Sequence, residues 1–145
     1  MFLPVFITIA GFVIGLGAVT VIDLHGFLGR KSSYWTEATI RTHKVTKPLI
    51  WVGILLVGCG TFLLGTNDYI QSNDFAFRLS IIFFMILNGS FLSFVVSPEL
   101  LKREREGRSQ ELLPQKMQNK ITVSFVISVL LWWGFLAYFV NSLIK

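Results

Sequence analysis

Hydrophobic positions in this chain come in four long unbroken runs, without the alternation of a half-buried strand. Residues 2–22 carry no charge, and neither do residues 48–66, 79–98 or 121–143. Each run reaches or approaches the roughly 20 residues that a helix needs to cross about 30 Å of hydrocarbon. The pattern predicts an all-α fold, an integral membrane four-helix bundle. It forms one domain over residues 1–145, with spans at about 2–24, 48–66, 75–98 and 120–143 and loops at 25–47 and 99–119. The first run has no positive residue ahead of its apolar stretch and no small-x-small cleavage pattern, so it reads as a retained span.

Composition agrees with the pattern. Hydrophobic residues make up 53% of the chain and charged residues 14%, against about 25% charged in an ordinary soluble domain. The net charge of +5 raises the question of nucleic acid, and its distribution answers it. Arg30, Lys31, Arg41, Lys44 and Lys47 lie between the first and second spans. Lys102, Arg103, Arg105, Arg108, Lys116 and Lys120 lie between the third and fourth, and the 67–74 connection has no basic residue. This is the positive-inside asymmetry. It predicts a multi-pass protein of the bacterial inner membrane with both loops cytoplasmic and both termini outside, whose partner is the lipid bilayer and not nucleic acid. At most the same charges attract anionic headgroups.

Small residues mark the faces where helices meet. Gly11, Gly15 and Ala18 stand at helical spacing in the first span, with Gly17 beside them; Gly53, Gly58, Gly60 and Gly65 populate the second. Such residues let backbones approach inside lipid, where apolar burial gives no net drive. The expectation is a tight antiparallel first pair, with Gly-rich faces equally able to meet another subunit or a second copy. Cys59, the single cysteine, is expected to be a small packing residue. Adjacent Trp132 and Trp133 point about 100° apart, so at least one should face protein. Arg78, one turn after Asp74, is expected to pair with it and reach water. Asn88 sits near mid-membrane, where an amide needs partners; it either bonds a neighbouring helix, lines a hydrated path or touches a ligand. Pro98 is expected to stop or kink the third helix, and Glu104 and Arg108 to pair in a short extension.

Candidate chemistry gathers between the first two spans. His25 follows Asp23 at the end of the first, Gly26 and Gly29 should break the helix, and Ser32 or Ser33 should start the next. Residues 36–47 read as a helix leading to the membrane, with Pro48 imposing a kink or a boundary. If that helix runs through to Gly65, it is about 45 Å long, which places His43 near the depth of His25. The two imidazoles then either bind a metal with Asp23 or Glu37 as a third ligand, hold a b-type haem axially, or simply bond backbone and water at the interface. The HxxxH and CxxC spacings are missing, and Arg41 and Lys44 flank His43 with positive charge. The interfacial use is therefore the expectation. For Asp23 the commoner use is pairing with Arg30, Lys44 or Lys47; the other is a proton or cation site.

The stretches GLGAVTVID, KPLIWVG and ILNGSFLSFVVSPEL resemble a group of small bacterial four-span membrane proteins. The matching positions are Gly15, Gly17, Asp23, Trp51, Asn88, Gly89 and Pro98. In plan the group is similar to the four-span modules of CopD-type and HemJ-type proteins, some of which handle metal or haem, so the resemblance implies a haem or metal function alongside the fold. Those modules place a histidine within the first span; here FITIAGFVIG carries Thr8 and none.

Three functions follow. The leading one is a non-enzymatic accessory, assembly or scaffold subunit, since no nucleophile with a base, carboxylate pair or phosphate loop stands in the sequence. The others are a haem- or metal-binding redox protein using His25 and His43, and a small oligomeric transporter or channel using Asp23 and Asn88.

Overall fold

In a computed structural model that describes residues 1–144, the chain is an all-α four-helix bundle. Helix α1 is Phe2–Leu28, α2 is Ser33–Thr66 and α3 is Ser72–Phe91. A π-helical turn, Leu92–Val96, joins α3 without a break to α4, Ser97–Arg105, and α5 is Gln115–Ile144. Four continuous helical stretches are long and apolar enough to cross a membrane: Phe2–Leu28, Ser33–Thr66, Ser72–Arg105 and Gln115–Ile144. Each outruns its charge-free run, because backbone hydrogen bonding continues into the polar flanks.

Helix α1 passes through Gly26 and ends at Leu28, one residue before Gly29. Ser32 caps α2 by accepting a hydrogen bond from the Trp35 backbone N–H at 3.4 Å, as Ser and Thr caps do for the unpaired first turn. The buried Thr36 hydroxyl donates to the Gly29 carbonyl at 2.8 Å and closes the turn. Pro48 does not bound α2: the proline lies inside one continuous helix.

Pro98 does not stop the third helix either. A proline has no N–H to give the carbonyl four residues back. The ladder shifts instead, and the Ser97 N–H bonds the Leu92 carbonyl five residues back. This π turn absorbs the defect and the helix continues to Arg105. The extension ends near Gly107, whose φ of +70° suits glycine. Glu104 and Arg108 do not pair. Glu104 bonds Lys44 at 2.7 Å, while Arg108 is bracketed by Glu106 at 3.1 Å and Glu111 at 2.8 Å. The Arg108 guanidinium holds the Glu111 carboxyl below its ordinary range.

The core lies between α1 and α2 and under α5. A Cβ on Gly11 would fall 2.7 Å from the Val57 nitrogen, one on Gly53 would strike the Gly15 Cα, and one on Gly60 would strike Thr8. Only glycine permits that backbone approach. Trp132 lies over Gly15 at 3% exposure, whereas Trp133 faces outward at 51%. Phe12 meets the rings of Phe135 at 5.3 Å and Phe139 at 5.7 Å. These aromatics close the half of the bundle away from the basic loops. Cys59, expected in the packing, is exposed on the outward face of α2, and Gly17, Gly58 and Gly134 likewise meet nothing.

Candidate functional site

Polar side chains concentrate in the half of the bundle nearer the basic loops. On α2, His43, Lys47 and Trp51 recur every four residues and so share one helix face. Opposite them stand Ser93 and Ser97, which the π turn aims at α2. His43 Nε2 and Ser97 Oγ are 2.7 Å apart, Lys47 Nζ donates to the same oxygen at 3.4 Å, and Trp51 Nε1 donates to Ser93 Oγ at 3.1 Å. Ser97 is 1% exposed and His43 8%. This seam fixes the register of α2 against the third span through three nitrogen-bearing side chains and two hydroxyls.

A second cluster joins α3 to α5. The Asn88 amide donates to Ser128 Oγ at 2.8 Å and to the Ser124 carbonyl at 3.3 Å, and its oxygen accepts from Ser124 Oγ at 2.8 Å. Of the roles open to Asn88, the geometry supplies interhelical bonding.

Between the two clusters lies Asp23, 8% exposed. It pairs with none of the expected cations. Lys44 is held by Glu104, Lys47 by Ser97, and Arg30 stacks over the Phe27 ring at 4.1 Å. Among the described residues Asp23 Oδ2 has no hydrogen-bond partner. The residue separates two small cavities. One, of about 60 Å³, is also lined by Thr39, His43, Lys47, Trp51 and Ser93 among mainly apolar side chains such as Ile50, Leu92 and Ile121. The other, of about 20 Å³, reaches Asn88 and Ser128.

His25 belongs to neither cavity. Its ring packs on Trp35, with centroids 5.1 Å apart, and its Nδ1 is buried without a partner. The proposed third ligand Glu37 bonds Arg41 and Gln110. Among the described residues no group of three or more His, Cys, Asp or Glu is placed to hold a metal ion. The trio His25, His43 and Asp23 is therefore not assembled. The two imidazoles are engaged separately, His43 Nε2 with Ser97 Oγ and the His25 ring with Trp35 at the start of α2.

Arg78 departs furthest from expectation. Its guanidinium is 1% exposed and does not reach for water. It donates to Ser142 Oγ at 2.8 Å, lies 3.8 Å from Asp74, and sits over Tyr138 and Phe139 at 5.8 and 5.4 Å from the ring centroids. Tyr138 in turn donates to Asp74. The i,i+4 pair was readable in sequence; the partners on α5, 60 or more positions away, were not. Separations of 42 to 54 positions likewise hid the bonds of Ser93 and Ser97 to α2, for which the four-residue spacing of both sets was the only available signal.

No protein-family model, curated protein or solved structure matches the chain.

Proposed function

We propose that this multi-pass membrane protein is a non-catalytic accessory or scaffold subunit of a bacterial inner membrane, acting through the outer faces of a fixed bundle. One observation carries the reading. Apart from Asp23, the intramembrane polar groups singled out for chemistry are engaged with one another across helices: His43 and Lys47 with Ser97, Trp51 with Ser93, Asn88 with Ser124 and Ser128. Satisfied in this way, they specify helix register. Partner contact falls to the outward small residues Gly17 and Gly58, which suit close approach of another helix. The basic loops face the cytoplasm and both termini lie outside, by the positive-inside rule. The likeness to CopD-type and HemJ-type modules enters this reading as shared plan, without their metal or haem.

A photo-crosslinking residue at Leu55 or Phe62, on the outward face of α2, tests it in native membranes. The expected product is one discrete adduct with a single polypeptide, a second copy included. Labelling of lipid alone from both positions contradicts the reading.

A second reading has its own observation, the unpartnered Asp23 carboxylate oxygen beside a mainly apolar cavity that His43, Lys47 and Ser93 also line. Ionisable groups at such depth commonly serve ion or proton paths. Ion flux through proteoliposomes separates the two.

A further inference from the structure

Away from the α1–α2 seam, α3 and α5 leave a groove between them of about 700 Å³, within the size range of ligand sites. Its walls are Phe84, Leu87 and Phe91 from α3 and Val123, Ile127 and Leu131 from α5, with Asn88 and Ser124 at the floor. Asn119 and Lys120 stand at one end. Helix α5 contains no Asp or Glu. Among the described residues, Lys116 and Lys120 have no carboxylate within ion-pair distance, unlike Lys44, Lys102 and Arg103.

We propose that this groove holds an acyl chain of an anionic phospholipid, with the lipid phosphate bound at Lys120 and Asn119. Four features select this occupant. The first is length. From Lys120 to Leu131 the groove runs about 16 Å at 1.5 Å per residue, half of the roughly 30 Å hydrocarbon core. It therefore spans one leaflet, from headgroup level to the bilayer centre.

The second is the floor. Asn88 has its oxygen and its amide nitrogen engaged by Ser124 and Ser128, so the groove presents hydrocarbon with satisfied polar groups beneath it. A polar solute would find no free partner there. The third is the rim. Phe84, Leu87 and Val123 are large and more than 45% exposed, which keeps another helix backbone from the close approach that small residues allow. A flexible chain fits between them. The fourth is the mouth. Gln115 donates to Asn119 Oδ1 at 2.8 Å, leaving the Asn119 amide N–H groups to donate beside the Lys120 ammonium. A lysine acts as a compact charge toward phosphate, and a basic pocket between spanning helices is suited to anionic headgroups.

The experiment is native mass spectrometry of the full chain in a neutral detergent. Phosphatidylglycerol is titrated against phosphatidylcholine of identical chains. The expected result is a preference for phosphatidylglycerol of about fivefold or more, the effect of one lysine near a headgroup. Lys120→Gln should remove that preference and retain chain binding. Val123→Trp, which fills the groove from its exposed rim, should weaken both lipids, and Lys102→Gln on α4 should change neither. Equal binding of the two lipids, a preference that survives Lys120→Gln, or one lost equally in Lys102→Gln overturns the proposal. A dimer that forms in the wild type and is lost in Val123→Trp also overturns it, in favour of a second copy as occupant.

Discussion

The α1–α2 and α3–α5 interfaces join helices of the same kind in two different ways. Between α1 and α2 the backbones touch: Gly11, Gly15, Gly53 and Gly60 remove the side chains. Between α3 and α5 large side chains hold the backbones apart, and hydrogen bonds bridge the gap, Asn88 to Ser124 and Ser128 at one level and Arg78 to Ser142 at another. In hydrocarbon there is no apolar burial to gain from pairing, so contact area and hydrogen bonds are what remain. The first device yields a rigid spine. The second yields an interface with room beside it, which is where the groove lies.

Substitutions that confuse the two devices should show the difference, measured as unfolding free energy in lipid nanodiscs. The largest effect is expected at Gly53→Leu, about 3 kcal/mol of destabilisation or more, because the added atoms meet backbone that cannot move aside. Gly58→Leu, five residues on and facing outward, should stay within about 0.5 kcal/mol. Equal losses at both positions would mean that hydropathy or helix propensity, not contact, governs the seam.

The α2 face against Ser93 and Ser97 is intermediate in kind, closely packed but polar. Ser97→Ala leaves His43 Nε2 and Lys47 Nζ without their shared partner. A loss of about 1–2 kcal/mol is expected, the range for a buried group left unsatisfied. Ser97→Thr keeps a hydroxyl and should recover part of the loss. Smallest among the losses at the three interfaces is Asn88→Leu between α3 and α5, about 0.6 kcal/mol by the average for interhelical hydrogen bonds in bilayers. A loss as large as that of Gly53→Leu would show that α3 and α5 depend on this amide as α1 and α2 depend on their glycines.

Much of this contrast was half-written in the sequence. The charge-free runs announced the spans, since a 3.6-residue helix is the simplest way to satisfy a backbone in lipid. The glycines announced a close seam but not its face. Gly11, Gly15, Gly53 and Gly60 point inward while Gly17 and Gly58 point out, and residue type alone does not tell them apart. Pro98 was legible as a disturbance. Its resolution as a π turn was not, because a five-back bond at Ser97 depends on what the continuing helix gains against α2. The placement of Asp23 among cations followed charge proximity along the chain; the structure gives each of Lys44, Lys47 and Arg30 a different neighbour. Arg78 had its local partner Asp74 in view, while the ring faces and hydroxyl that hold it inside came from α5.

The most direct test of the central claim, that the intramembrane polar groups are structural, is ion flux through purified protein in proteoliposomes under imposed proton and potassium gradients. Structural polar groups give leak rates equal to those of empty vesicles, unchanged in Asp23→Asn. Flux above that background which disappears in Asp23→Asn would contradict it and make the cavity beside Asp23 part of a path.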